Sequence, residues 1–208
     1  MASGGELSEG LPRFEYRKFD LDFKGLDLSN LCMTYIFVVG AEKTGKTTLV
    51  DPLTTRSTTD PFLPSFEHIG EFIRMTELGM IILRLLELKI ENLGMPEILL
   101  TCRIRKHIFL FVYAFDDSTT LRFLYKNWIA PVKRVFSTVT TIMLGNKSDL
   151  KKDSEFRTRN PIYSDECILC YKEYFDVHFV FECSALTGDQ LDFVFCVIAL
   201  VGNKVKPS

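Results

Sequence analysis

The sequence predicts an α/β domain built on a mostly parallel sheet. Residues 107–115 and 140–144 form continuous apolar runs, which are typical of parallel strands that are covered on both faces. From Thr34 onward, short β-rich runs alternate with segments of helical spacing, and no Pro- or Gly-rich linker interrupts them. This alternation favours a single domain whose sheet is flanked by helices on both faces.

Six strands and three helices account for this pattern. The first strand is predicted at residues 35–39, and residues 69–75 and 81–90 form a hairpin around the turn-like Thr76-Glu-Leu-Gly79. The two apolar runs supply the fourth and fifth strands, and a weaker sixth strand is predicted at 179–183. Helices are expected at 118–136, 161–175 and 188–201.

The composition disfavours two classes of protein. The 208 residues include 25 Lys and Arg against 27 Asp and Glu, so the formal charge is −2, whereas a polybasic nucleic-acid binder needs many uncompensated cations. Eighteen Phe, seven Tyr and a mean hydropathy of +0.11 give more burial potential than a disordered chain has. We therefore expect a folded domain and no nucleic-acid partner.

The domain is expected to occupy residues 34–203. Residues 1–33 form an N-terminal extension, with a mobile Gly/Ser/Glu-rich tail at 1–13 and a segment at 14–23 that packs on the domain, and residues 204–208 form a short tail. No secretory signal is visible among the first residues, so we expect a cytoplasmic protein.

Six cysteines are scattered along the chain, four of them in apolar stretches, which is typical of buried reduced thiols. Cys167 and Cys170 form the one close pair. Since a zinc site would need a second pair of Cys or His ligands at suitable spacing, we expect core thiols and no metal or redox role for this pair.

A phosphate-binding motif directly follows the first predicted strand. Residues 40–47 (G-A-E-K-T-G-K-T) match G-x-x-x-x-G-K-[ST] in the strand-then-helix context that a P-loop requires. The glycines let successive N–H groups turn toward phosphate oxygens, and the following helix adds its positive end. Lys46 would contact the β- and γ-phosphates, and the Thr47 hydroxyl would bind Mg²⁺. The candidate residues are Gly40, Glu42, Lys43, Thr44, Gly45, Lys46, Thr47 and Thr48.

A second motif, Asn146-Lys-Ser-Asp149, stands at the end of the fifth predicted strand. The Asp149 carboxylate can accept two hydrogen bonds from the N1–H and N2–H₂ edge of guanine, which adenine does not offer. Asn146 can tie this loop to the P-loop, and the stem of Lys147 can lie along the purine face. The pairing of this motif with a P-loop predicts a guanine-nucleotide site.

A third motif, Ser184-Ala185-Leu186, follows the sixth predicted strand. Its backbone N–H at Ala185 could meet the O6 atom of guanine. The tripeptide carries no information alone, but it completes the set formed by the other two motifs.

With these motifs in this order, the chain resembles a Ras-like small GTPase from about residue 34 to residue 203. The segment at 109–119 is also similar to the fourth strand and following loop of that family, and residues 127–129, 145–150 and 182–185 are similar to Rho and mitochondrial Rho (Miro) domains. Divergent Rab-like and Ras-like members remain alternatives. The resemblance implies a G domain of the P-loop NTPase class with a six-stranded sheet, the ligands GTP and GDP with Mg²⁺, and two switch segments that report the γ-phosphate.

The two switch segments match the family less well. Ser65 is the best match to the first-switch Thr that senses Mg²⁺ and nucleotide, and Thr58 and Thr59 are alternatives. In the second switch, Glu91-Asn-Leu-Gly94 is the best match to the family's D-x-x-G, and the Gly94 amide could meet the γ-phosphate. Met95 stands where the family usually has the Gln that orients the attacking water.

Glu42 is a further departure, because Ras and many relatives have a small residue at this position near the γ-phosphate. We therefore expect a GTP-binding switch with weak or slow intrinsic GTPase activity. The alternative is a pseudoGTPase that serves as an interaction scaffold with a structural nucleotide or none. An ATP-using P-loop kinase is disfavoured, because Asp149 selects guanine and no Arg-rich lid segment is evident.

The two ends of the chain and its last predicted helix bear on membrane attachment and on partners. The chain ends at Ser208 without a terminal cysteine and has Ala2 after its Met, so no prenylation or myristoylation site is visible. The last predicted helix has almost no polar face, and either residues 14–23 cover it or it binds a partner or a second copy of the chain. The resemblance also implies an effector or regulatory protein.

Overall fold

The computed structural model describes residues 32–50, 69–76, 79–88, 106–136, 138–159 and 165–204. The predicted segments at 1–13 and 14–23, and the last four residues of the tail, lie outside these ranges.

Six strands form one sheet in the order β2-β3-β1-β4-β5-β6. Strand β2 runs antiparallel to β3, with Thr76 opposite Gly79 at the hairpin turn, and the other five strands are parallel. The predicted hairpin and the mostly parallel six-stranded sheet are therefore confirmed. The strand bounds are β1 Cys32–Gly40, β2 Ile69–Thr76, β3 Gly79–Glu87, β4 Lys106–Ala114, β5 Thr140–Asn146 and β6 Phe179–Glu182.

Helices lie after β1, between β4 and β5, between β5 and β6, and after β6. The described helices are α1 Lys46–Val50, α2 Thr119–Leu124, α3 Ala130–Val135, α4 Ser154–Arg159, α5 Asp165–Tyr174 and α6 Leu191–Lys204, and a 3₁₀ turn spans Ser148–Lys152. The three predicted helices correspond to α2 with α3, to α5 and to α6. The short α4 and the 3₁₀ turn were not predicted, because neither is long enough to show a helical period.

A π-helical turn, Tyr125–Ile129, joins α2 to α3. Pro131 lies in the first turn of α3 and has no N–H to donate to the carbonyl of Asn127, so the regular helical hydrogen-bond pattern is interrupted there. The backbone N–H of Ala130 donates to the Tyr125 carbonyl, five residues before it, and the side-chain amide of Asn127 donates to the Phe123 carbonyl at 3.0 Å. Proline thus explains why one predicted helix is built from two α-helical pieces and a wider turn.

Each face of the sheet buries its own core, because successive strand residues point to opposite sides. On one face, aromatic residues of β1 and β4, among them Phe37, Phe109 and Phe111, pack against α2, the π-helical turn and α3. On the other face, aliphatic residues of the same strands pack against α1 and α6; these are Ile36, Val38, Ile108, Leu110 and Val112. Burial on both faces confirms the predicted covering of the sheet by helices.

Candidate functional site

The loops at the carboxyl ends of β1, β4, β5 and β6, together with the last residue of β3, meet at one edge of the sheet. Strand β1 has β3 on one side and β4 on the other, so the strand order reverses at β1. Ligands of open α/β sheets bind at the carboxyl ends of the strands at such a reversal. The sheet order therefore brings the three predicted motifs to one place.

Two glycines shape the P-loop. A Cβ atom on Gly40 would lie 2.2 Å from the carbonyl oxygen of Val112 in the neighbouring strand β4. Gly45 has φ +84°, and a Cβ there would lie 2.4 Å from the Asn146 amide nitrogen. Both positions require glycine because the loop passes this close to β4 and to the loop after β5.

Lys46 is the buried cation of the site. Its ammonium group donates to the carbonyl of Ala41 at 2.7 Å and to that of Gly40 at 3.2 Å. The same group lies 3.6 Å from the carboxylate of Glu87. Burial lowers the pKa of Lys46 from its ordinary value, and the charge of Glu87 opposes that shift. The loop thus folds its carbonyls around one lysine charge.

Glu87, the last residue of β3, is a site residue that sequence reasoning missed. The Thr47 hydroxyl donates to its Oε2 atom at 3.0 Å, and the parallel register sets Glu87 opposite Val38 of β1. The apolar pattern predicts a strand at 81–90, and Glu87 lies inside that range. A carboxylate at the carboxyl end of the strand next to the P-loop strand would have indicated this role. The sequence does not show where that strand ends, so Glu87 could not be recognised in this way.

The other P-loop positions divide into one buried residue and three exposed ones. The Thr44 side chain is buried and its hydroxyl donates to the Ala41 carbonyl at 2.9 Å. Glu42, Lys43 and Thr48 are exposed. The backbone of Lys43 has φ +61°, a left-handed conformation that residues other than glycine seldom adopt. The turn of the loop therefore carries an exposed acidic and an exposed basic side chain at consecutive positions.

Asn146 joins the P-loop to the loops after β5 and β6. Its amide donates to the Thr44 carbonyl at 2.8 Å, and its Oδ1 atom accepts from the backbone N–H of Ala185 at 2.9 Å. The predicted tie between the second motif and the P-loop has this geometry. The N–H of Ala185, predicted to meet guanine O6, is directed at Asn146 in this structure, so O6 would have to share or replace that bond.

Lys147 adds a second connection at the rim of the site. Its backbone is left-handed at φ +66°, and its ammonium donates to the Lys43 carbonyl at 2.8 Å and to the carboxylate of Asp116 at 2.7 Å. Asp116 follows β4 and was not predicted as a site residue. With its terminal ammonium held by these two groups, the stem of Lys147 bridges the P-loop and the guanine motif.

Asp149 is oriented by the third motif. Its Oδ1 atom accepts a hydrogen bond of 2.5 Å from the buried hydroxyl of Ser184, and that hydroxyl also accepts from the N–H of Thr187 at 3.2 Å. Leu186, in the same turn, is 81% exposed. The carboxylate is thus fixed by a neighbouring loop, and an apolar side chain projects at the rim of the site.

Cys183 lies beneath these loops. Its Sγ atom is 3.8 Å from Asn146 Oδ1, and burial raises the pKa of the thiol to about 12. Such a thiol stays protonated and unreactive at neutral pH. Cys170 is exposed, so the expected core position is wrong for this thiol; the side chain of Cys167 is outside the described set, and its position stays a prediction.

The predicted switch residues lie outside the described ranges. Their assignments therefore stay predictions; the residues are Thr58, Thr59, Ser65, Glu91, Gly94 and Met95. Within the described ranges, no three His, Cys, Asp or Glu side chains come together as ligands for a metal ion. None of the helices described above is long and apolar enough to cross a bilayer.

A family model matches the second half of the chain. The model of the Ras family matches residues 98–205, just over half of the sequence. This range includes the loops that carry Asn146, Asp149 and Ser184. The P-loop lies before it, so the assignment of the phosphate site depends on its motif and its contacts with Asn146 and Lys147.

Two curated relatives carry Rho in their names. The Rho-related protein racN of Dictyostelium discoideum is 23% identical over 97 residues, which are 47% of this chain and 44% of the relative. The GTP-binding protein rho2 of Schizosaccharomyces pombe is 32% identical over 97 residues, which are 44% of this chain and 48% of the relative. The chain thus spans slightly less than half the length of the curated relatives it matches.

The sheet order, the loops at its carboxyl edge and the family match agree with one another. The resemblance inferred from the three motifs is confirmed, and it describes a divergent member, since the identities to both relatives are modest. Because the family model matches more than half of the sequence, the chain belongs to the Ras family.

Proposed function

We propose that the chain binds GTP and GDP and acts as a nucleotide-dependent switch whose intrinsic hydrolysis is slow. The observation that carries the proposal is the tie between phosphate and base motifs, in which the Asn146 amide donates to the Thr44 carbonyl at 2.8 Å. Residues separated by about 100 positions are thereby held in the arrangement that a single nucleotide would span. The name of one relative, the GTP-binding protein rho2, supports the same ligand.

The glycine-containing loop and Lys46 would bind the phosphates. The lysine ammonium is already enclosed by the carbonyls of Gly40 and Ala41 and is close to the Glu87 carboxylate. A nucleotide's phosphates would compete for the same charge, and they carry more negative charge than those partners. Base selection would fall to Asp149, which Ser184 holds in place.

Mg²⁺ is the metal that fits the oxygen donors at the edge of this loop. The Thr47 hydroxyl and the Glu87 carboxylate are 3.0 Å apart, and hard divalent cations bind hydroxyl and carboxylate oxygens. We infer that these two side chains hold the ion, with Ser65 as a further predicted ligand. When bound, the ion would neutralise charge on the phosphates.

Slow hydrolysis is proposed from two side chains. The exposed carboxylate of Glu42 lies on the P-loop, where it would face a negatively charged γ-phosphate or turn to solvent. Met95 has no group that can orient a water molecule by hydrogen bonding. Neither change removes a residue of the phosphate or guanine site, so binding and hydrolysis are separable in this chain. An effector or regulatory protein that responds to the nucleotide would complete the switch.

The nucleotide that co-purifies with the full chain tests this proposal. We expect GTP to be retained together with GDP, and a single-turnover rate for GTP hydrolysis no faster than about 10⁻⁴ s⁻¹, the order of magnitude of unassisted small GTPases. Chromatography of the nucleotide released by denaturation gives the first result, and quenched turnover of labelled GTP gives the second. A rate above about 10⁻² s⁻¹ without a partner would contradict slow hydrolysis. An empty site that also rejects added nucleotide would favour the scaffold alternative.

Replacing Glu87 by Gln tests the proposed metal ligand. The amide oxygen can still accept from Thr47, but the negative charge is lost. We expect the Mg²⁺ concentration needed to retain bound GDP to rise about 10- to 100-fold, since changes around metal ligands commonly cost this much affinity. The readout is the release rate of fluorescent GDP across a Mg²⁺ titration.

Glu173→Gln provides the matched control, because this exposed carboxylate lies on α5. In excess EDTA, the wild type and the Glu87 variant should release GDP at similar rates. An unchanged Mg²⁺ requirement in Glu87→Gln would exclude Glu87 from the metal site.

A further inference from the structure

Helix α6 presents an apolar stripe beside the face that packs on the sheet. Its members recur at the three- and four-residue spacing of one helix face, and we call them the outer stripe: Phe193, Cys196, Val197, Leu200 and Val201. Phe193 is 43% exposed and Leu200 is 59% exposed, while the other three are half-buried. The opposite side of the helix packs in the aliphatic core through Val194, Phe195 and Ile198. Val201, at the margin of the stripe, also packs against this core, so Phe193 and Leu200 are the members that the fold itself leaves most exposed.

The stripe continues onto the edge of the sheet. The ring of Phe193 meets the ring of Phe181 edge to face, with centroids 6.1 Å apart, and Phe181 stacks on Phe179 at the same distance. Phe179 and Phe181 lie on β6, the last strand of the sheet. An exposed apolar patch of this kind is typical of a surface that binds another part of the protein or a partner.

We propose that residues 19–23 of the same chain cover the outer stripe. This segment reads Phe-Asp-Leu-Asp-Phe, so its apolar and acidic side chains alternate. In an extended conformation, alternation places Phe19, Leu21 and Phe23 on one side and both aspartates on the other. The apolar side suits the stripe, and the acidic side would remain in water.

The start of β1 lies close to α6, which supports residues 19–23 as the segment that covers the stripe. Strand β1 begins at Cys32, and Thr34 lies against the carboxyl-terminal part of α6, because a Cβ on Gly202 would be 2.9 Å from the Thr34 hydroxyl. The nine residues from Phe23 to Cys32 reach at most about 30 Å. From Leu200 to Phe193 the helix rises only about 10 Å, so the tether can reach the whole stripe.

Tethering also favours this segment over a second copy of the chain. A short flexible linker gives an effective concentration in the millimolar range, which a free partner in dilute solution does not match. The apolar surface of α6 would then be closed within one molecule, and any other protein that bound the stripe would first displace residues 19–23.

Hydrogen exchange of the full chain, read by mass spectrometry, tests the proposal. Peptides covering residues 14–23 are expected to exchange at least about tenfold more slowly than an unstructured peptide of the same sequence. The double variant Phe193→Ser/Leu200→Ser should remove that protection. Slow exchange of peptides from β4 and β5 in the same samples reports that the variant is folded.

Two matched controls distinguish a specific contact between residues 19–23 and the outer stripe from a general effect of removing apolar side chains. Phe123→Ser/Val135→Ser removes one aromatic and one aliphatic side chain that are exposed on α2 and α3, and it should leave residues 14–23 protected. In the segment itself, Leu21→Ser/Phe23→Ser should abolish protection, whereas Asp20→Ser/Asp22→Ser should keep it.

Light scattering of the same proteins completes the test. We expect the wild type to be a monomer. Fast exchange of residues 14–23 in the wild type would overturn the proposal, as would protection that survives the loss of Phe193 and Leu200. A wild-type dimer that Phe193→Ser/Leu200→Ser converts to monomers would assign the stripe to a second copy instead. None of these readouts requires bound nucleotide, so the result is independent of the proposed function.

Discussion

Asp149→Asn is expected to weaken the binding of GDP and GTP by about 10²- to 10⁴-fold. Two hydrogen bonds to a charged acceptor contribute about 1.5–3 kcal/mol each, and every 1.4 kcal/mol is a factor of ten in affinity. The variant also turns an N–H₂ group toward the donors of guanine. Ser184 can still donate to the remaining oxygen of the side chain, so the loop should keep its shape.

Xanthine nucleotides make this prediction specific to base recognition. Xanthine carries a carbonyl where guanine carries its 2-amino group, and a carboxamide can donate to that carbonyl while accepting from N1–H. We therefore expect Asp149→Asn to bind XDP more tightly than GDP, which reverses the preference expected for the wild type. Titration with fluorescent GDP and competition by XDP measure both affinities.

Asp189→Asn is the control for a charge change in the neighbouring loop. The Asp189 carboxylate pairs with Lys152 at 3.3 Å; the Lys152 side chain is largely exposed and that of Asp189 is 41% exposed. Its loss should change GDP affinity by less than about fivefold. If both variants lost affinity equally, or if Asp149→Asn showed no preference for xanthine, Asp149 would not be the base-reading residue.

Gly40→Ala is expected to destabilise the fold by about 3 kcal/mol or more. The added Cβ would lie 2.2 Å from the Val112 carbonyl oxygen, and overpacking against a backbone atom forces two core strands apart. For a protein of this size, 3 kcal/mol lowers Tm by roughly 6–12 °C. Thermal unfolding followed by circular dichroism checks the expected shift.

Gly188→Ala is the control that distinguishes steric crowding by an added Cβ from the cost of a left-handed backbone conformation. Gly188 has φ +78°, and a Cβ placed there meets no atom within 4 Å. Its replacement should cost only about 1 kcal/mol, the preference of a left-handed position for glycine. A Gly40→Ala variant no less stable than Gly188→Ala would show that β1 and β4 can adjust at the P-loop.

Local patterns were sufficient to predict most of the fold. The apolar runs of β4 and β5, the turn at residues 76–79 and the glycines of the P-loop act over a few residues, so their consequences are visible in the sequence. The same holds for Asn146 and Asp149, because each belongs to a short motif at the end of a strand. These predictions agree with the sheet order and with the contacts among the loops.

Other site residues were missed because their roles depend on strand register. Glu91 was chosen by its spacing to Gly94, whereas the carboxylate that contacts Thr47 among the described residues is Glu87. Asp116 was likewise invisible as a partner of Lys147, since the two residues meet only when β4 and β5 lie side by side. In both cases the contact joins distant parts of the chain.

The sequence by itself determined the chemistry of this protein: a glycine-containing loop that ends in the Gly-Lys-Thr of a P-loop motif, a carboxylate suited to guanine, and an apolar last helix. The tertiary structure decided which oxygen faces Thr47, which group holds Lys147, and which side of α6 remains open. The physical reason is the separation along the chain over which each effect acts. Residue type and spacing act along the chain, whereas the pairing of charges and the burial of a helix face are set by parallel strands and packed layers that bring distant residues together.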